Sequence, residues 1–238
     1  MKKVIMGVLL LLLVPIIIYL VLLIYPSPLF AHKYEYQNYI VYSDEPIHGN
    51  ITVVIDDAIQ RIKNSELYDS KYKFKLYLCN NNSLFSFFTR NGNAGGVVNF
   101  VISSNIFIRE NDIEKNQITP PESWKFPLND RPLSYFIAHE SIHCLQRRYD
   151  KFLILKAPVE IIEGYADYIG KQPKNNLDSL INDYNSNLSS MNPENGLYDK
   201  YNLYVCFLLE KRGLDFYGLV EEKPDLAKTL EEIRNKAR

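Results

Sequence analysis

Hydrophobic positions are distributed very unevenly along the chain. Val4 to Tyr25, "VIMGVLLLLLVPIIIYLVLLIY", holds no charged residue and follows Lys2 and Lys3. As a helix this run would reach about 33 Å at roughly 1.5 Å per residue, enough to cross a bilayer core of about 30 Å, and Pro15 is tolerated in such helices. The following "PSPLFAHK" is a poor cleavage site, because bulky Leu29 stands two residues before Ala31. The pattern predicts a cytoplasmic tail over residues 1–3, an uncleaved transmembrane anchor over 4–25 and a linker over 26–35. One folded domain over 36–238 would then lie outside the cytoplasm, as the two lysines dictate.

Beyond the anchor the periodicity changes several times. "YQNYIVYSDEPI" is β-branched and aromatic and predicts a strand, and "NITVVIDDAIQRIKNSELY" repeats apolar residues at helical spacing behind Asn50. "KFKLYLC" alternates as a half-buried strand does, and "NGNAGGVVNFVISSNIFIRE" reads as a glycine turn leading into strands. Proline-rich "NDIEKNQITPPESWKFPLNDRP" predicts a surface loop. "RPLSYFIAHESIHCLQRR" predicts a helix with Asn129 or Asp130 as cap, Pro132 in its first turn and arginines at its end. "APVEIIEGYADYIG" predicts a second helix, residues 171–197 are polar and asparagine-rich, and helical character returns from Tyr198.

With 238 residues the chain can bury a full core, and its net charge of -1 offers no electrostatic reason to bind nucleic acid. Cys79, Cys144 and Cys206 are too few and too scattered for a disulfide framework and read as buried small apolar residues. "GNAGG" lacks the lysine and the Ser/Thr of a phosphate loop.

Two of the four histidines fall in "AHESIHC", residues 138–144. On a helix, residues four apart are separated by about 40° around the axis, so His139 and His143 share a face and can hold one Zn²⁺. Glu140 projects about 100° from His139, too far round to chelate with it but placed to take a proton from a water at the metal. Cys144 diverges from His143 by the same angle and reads as a buried thiol rather than a nucleophile. A catalytic zinc site usually has a third protein ligand. Gln146 and Tyr149 stand where a metzincin would need glycine and histidine, and His32 and His48 have no recommending spacing. "VEIIEGYADY" offers Glu160, Glu163 and Asp167; the last two share a face, and one acid could bind metal while another holds a ligating imidazole by its second nitrogen. Glu160 alone reads as a solvated helix residue.

"HESIH", followed after residues 144–162 by the glutamate of "EGYADY", resembles the gluzincin branch of zinc peptidases, in particular the peptidase MA-like domains. That resemblance implies an α+β zincin-like metallopeptidase domain, with a small mixed sheet over the motif helix and a helical C-terminal lobe, here preceded by one transmembrane helix. It implies Zn²⁺ as cofactor, His139, His143 and Glu163 as its ligands, Glu140 as the base and Asp167 as the acid that orients a ligating histidine. It further implies a glycine-containing edge strand at "NAGGVVNF", with Gly95, Gly96 and Val97 lining the cleft for a peptide or protein substrate. Tyr198 or Tyr201 would stabilise the oxyanion. The expected activity is peptide-bond hydrolysis at the membrane. Two other readings are a binding or scaffold protein that keeps the fold without turnover, and a zinc hydrolase of a non-peptide substrate; an intact Glu140 argues against the first.

Overall fold

Strand periodicity in the first half of the chain builds one five-stranded sheet. Its strands are β1 (His32–Tyr36), β2 (Tyr39–Ser43), β3 (Phe74–Leu78), β4 (Gly96–Val98) and β5 (Asn105–Ile108), arranged in the order β1-β2-β3-β5-β4. Strands β2, β3 and β5 run parallel, while the two edges, β1 and β4, are antiparallel to their neighbours. A two-stranded hairpin, β6 (Asn111–Asp112) with β7 (Gln117–Ile118), follows. This computed structural model describes residues 2–99, 102–124, 128, 130–192 and 198–236, with backbone alone for 2–12, 153 and 236.

Among these residues are ten α-helices. They are α1 (Lys2–Ile24), α2 (Ile51–Ile62), α3 (Asn82–Thr89), α4 (Leu133–Tyr149), α5 (Lys151–Lys156), α6 (Val159–Gly170), α7 (Leu177–Asn185), α8 (Asp199–Arg212), α9 (Phe216–Glu222) and α10 (Leu226–Lys236). The architecture is therefore α+β, with a small mixed sheet followed by a helical C-terminal half. Helices α2 and α3 lie within the β2-to-β3 and β3-to-β5 connections, since parallel neighbours require a crossover.

Strand side chains alternate between two differently covered faces. Val41, Leu76, Ile106 and Val98 stand in register on one face and belong to the main core with residues of α2, α4 and α6. Tyr42, Tyr77 and Phe107 stand in register on the other, with ring centroids 4.8 Å and 5.3 Å apart. Phe85 and Phe88 of α3 and Leu23 of α1 join that aromatic layer.

The end of α1 is thus part of the domain. Tyr19 donates its hydroxyl hydrogen to the Phe87 carbonyl at 2.9 Å, and the Asn105 side-chain amide donates to the Leu23 and Ile24 carbonyls at 2.9 and 3.2 Å. Among the described residues no helix is long and apolar enough to cross a membrane. This finding overturns the expected transmembrane anchor over 4–25 and the single-pass, extracytoplasmic placement built on it. At its C-terminal end α1 buries Leu23 against the domain, while Leu13, Val14, Ile16, Ile17, Ile18, Leu20, Val21 and Ile24 are exposed. Strand β1 begins at His32, inside the stretch expected as a linker, and pairs along its whole length with β2.

Helix α4 is the centre of the domain, with every residue from Leu133 to Gln146 buried. It lies against α2 and α6 on its flanks and β4 and β5 above, so even its polar residues face protein. Its N-terminus is not capped by Asp130; Asn129 falls outside the described residues. Asn116, at the turn of the β6–β7 hairpin, accepts the Leu133 amide on its carbonyl at 2.8 Å and the Ser134 amide on its side chain at 2.9 Å. A long-range partner therefore does the work of a local cap. Helices α6 and α8 approach closely at Gly164, where a Cβ would sit 2.5 Å from the Tyr201 carbonyl oxygen.

Candidate metal centre

The two packed helices α4 and α6 bring His139, His143 and Glu163 together. The Nε2 atoms of His139 and His143 are 3.2 Å apart, and Glu163 Oε2 lies 3.3 Å from the first and 3.5 Å from the second. A tetrahedral zinc with metal–ligand distances of about 2.0–2.2 Å separates its ligand atoms by roughly 3.3–3.6 Å. The three donors thus form one face of a tetrahedron of about the right size, and the cluster could hold a metal ion. Glu160, one turn before Glu163, stays outside it and is partly exposed.

Burial opposes the charged form of His143, but the charge and hydrogen bond of Glu163, then Glu140 and Gln146, outweigh it and raise its pKa to about 9. Burial likewise opposes ionisation of Glu163, yet the two imidazoles hold its carboxyl far below the usual range. Without a metal the cluster thus holds a proton among its donor atoms. His143 stabilises the fold fully below its ordinary value of 6.5, and that stabilisation is lost as pH rises through about 9. Glu163 contributes above its ordinary value of 4.5 and is lost as pH falls below that. Melting of metal-free protein should therefore show stability declining between pH 6.5 and 9; a flat or rising profile across that window would refute the arrangement.

Gln146, which the spacing of the metal motif does not single out, sets the second nitrogen of His143. Gln146 Oε1 lies 2.8 Å from His143 Nδ1, and its Nε2 donates to the Ile162 carbonyl of α6 at 3.0 Å. Accepting the Nδ1 hydrogen leaves Nε2 with a free lone pair directed at the cluster. The sequence carries a signal for this contact, since position i+3 of a helix faces position i. Gln146→Leu should weaken zinc binding by about 10- to 100-fold, as measured by competition with a chelator. Unchanged affinity would remove Gln146 from the site.

Asp167 is fully buried one turn beyond Glu163. Its Oδ1 accepts the Tyr135 hydroxyl hydrogen, whereas Oδ2 and His139 Nδ1 are both buried without a hydrogen-bond partner. Burial works against its charge, but Lys171, Arg131 and His139 together hold its carboxyl below the usual range.

Glu140 projects from α4 toward the edge strand, where a Cβ on Gly96 would lie 2.8 Å from Glu140 Cγ and 3.1 Å from Oε1. Only a glycine leaves this carboxylate its room. Burial raises the pKa of Glu140 and Glu163 adds to this, while the two imidazoles and a hydrogen bond from the Val98 backbone pull it back. The Arg109 amide donates to the Gly95 carbonyl at 3.2 Å, and the alternation of an antiparallel ladder then turns the backbone groups of Gly96 and Val98 to the open side of β4. Of the three expected cleft residues, Gly96 borders Glu140 and Gly95 abuts Phe136. Val97 turns its side chain to the aromatic layer on the opposite face.

Tyr198 flanks the start of α8 and stacks on His139, with ring centroids 6.0 Å apart and planes 9° from parallel. Tyr201 stacks in turn outside Tyr198 at 5.9 Å and 15°. Burial, then Glu163 and Glu140, raise the pKa of the Tyr198 phenol, so its hydroxyl stays protonated in their field. Tyr201 is perturbed by burial and then by Glu160. All three cysteines are free and buried.

No protein-family model matches this chain, and no curated protein matches it significantly.

Proposed function

We propose that the chain is a zinc-dependent peptidase of the gluzincin type. The observation that carries this reading is the trio of donor atoms from His139, His143 and Glu163, spaced 3.2 to 3.5 Å apart, with the Glu140 carboxylate beside them under a glycine of an open strand edge. Bound by those three residues, zinc would supply a Lewis acid and make a water acidic at neutral pH.

The remaining roles belong to the protein. The backbone N–H and C=O of Gly96 and the C=O of Val98, on the open side of β4, suit an extended peptide that adds itself as a further strand. That mode of recognition favours a peptide over a non-peptide substrate. Glu140, partly desolvated and with a raised pKa, takes the proton of the attacking water and hands it to the departing amine. Tyr198, protonated and facing the two glutamates, donates a hydrogen bond to the oxygen that gains charge; Tyr201 lies one ring further out. Asp167, kept ionised, sits by His139 and favours the imidazole as a ligand.

Zinc stoichiometry and turnover together test this reading. The purified protein should bind one zinc, lose it with His143→Ala, and cleave members of a mixed peptide library in a chelator-sensitive way. Zinc retained by His143→Ala would remove the site. Zinc bound without peptide cleavage would remove the activity.

A further inference from the structure

A ring of charged side chains lies behind the metal cluster and ties together three helix ends. Arg131, just before α4, places Nη2 2.6 Å from Asp199 Oδ1 at the start of α8, and Lys171, just after α6, places Nζ on the same oxygen. Lys171 Nζ also lies 3.6 Å from Asp167 Oδ2 and 3.2 Å from Asp130 Oδ2. The ring closes through Tyr135, whose hydroxyl bonds Asp167 and whose face lies under the Arg131 guanidinium at 5.6 Å. Arg131, Lys171, Asp167 and Asp199 are all buried.

Burying four charges is costly, and an apolar set of similar volume would often be no less stable. What such a set cannot do is fix position by direction. Asp199 is the residue after Tyr198, and α8 has no side-chain cap of its own at that end. Two cations on one Asp199 oxygen therefore fix the backbone that carries the Tyr198 ring over His139. At the other end of the ring, the same ammonium stands beside Asp167, next to His139.

We propose that Arg131, Lys171 and Asp199 are positioning residues that form a charged clamp, setting Tyr198 against the ligand His139 while holding Asp167 beside it. The inference rests on the peptidase reading for its kinetic consequence, but the clamp itself is measurable without turnover. In zinc-free protein, Lys171→Met should speed amide hydrogen exchange over residues 198–202 at least about tenfold relative to wild type, with α2 and β3 unaffected. Unchanged exchange there overturns the clamp.

Kinetics supply the second arm. Asp199→Asn should lower kcat for a peptide about tenfold with KM and zinc affinity nearly unchanged, and should add nothing further in a Tyr198→Phe background. Asp199→Glu should recover part of the loss. Full activity in Asp199→Asn, additive losses with Tyr198→Phe, or parallel losses of zinc affinity and melting temperature would each overturn the proposal. Should Asp199→Asn not fold, Lys171→Gln carries the double-mutant cycle with Tyr198→Phe, read in kcat at saturating zinc because Lys171 also stands beside Asp167. If wild type binds zinc but cleaves no peptide, the functional reading fails while the exchange experiment still decides the clamp.

Discussion

Glu140→Gln retains zinc and loses about 100- to 10,000-fold in kcat for peptide hydrolysis, the range a positioned general base contributes. The two side chains have the same shape, so the close fit beneath Gly96 survives, and an amide oxygen can still accept the Val98 backbone hydrogen bond. What is lost is the proton acceptor. The pocket sharpens this effect, because Glu140 is 6% exposed and, among the described residues, the neighbouring carboxylates are engaged: Glu163 with the two imidazoles and Asp167 with Tyr135. Steady-state kinetics with zinc analysis on the same preparation checks the result. Unaltered hydrolysis would mean that another group moves the proton.

Glu163→Ala should weaken zinc on the order of a thousandfold, because one of the three proposed protein ligands is removed and two histidines remain. The carboxylate is also the group that holds both imidazoles, at 3.3 and 3.5 Å, so its loss frees their rings to turn. Asp167→Asn should be milder, about 10- to 100-fold, since Asp167 acts on the ligand and not on the metal. Chelator-competition titrations of the two variants give the comparison. Equal losses would place both acids in the same role, and a stronger effect at Asp167 would reverse the assignment.

Much of the site was legible because helical geometry is local. The four-residue spacing of His139 and His143, and that of Glu163 and Asp167, follows from the pitch of one helix and needs no tertiary knowledge. Which carboxylate of the second helix meets the histidines was not local, and the packing of α6 on α4 selects Glu163 over Glu160. Gln146 was legible by spacing yet passed over, since its role depends on the Ile162 carbonyl from another helix. Helix α7 is a polar, asparagine-containing stretch that acquires its shape where Leu177 and Leu180 find a core against α8, whereas α3 is half apolar and sets Phe85 and Phe88 against the sheet.

The apolar N-terminus marks the limit most clearly. Hydropathy measures the cost of exposing a run to water, which is the same whether lipid or protein relieves it. Tyr19 and Leu23 tie the C-terminal end of α1 to the aromatic layer, a contact that hydropathy does not report.

By itself the sequence determined strands β2 and β3, helices α2, α4 and α6, the shared face of the two histidines and the order of the chemical groups along the chain, because periodicity and pitch are properties of the local backbone. Only the tertiary structure decided that Glu163 closes the triangle, that Gly96 leaves room for Glu140, and that Tyr198 lies nearer the histidines than Tyr201. Each of those outcomes depends on the approach of elements distant in sequence, and side-chain packing alone sets that approach.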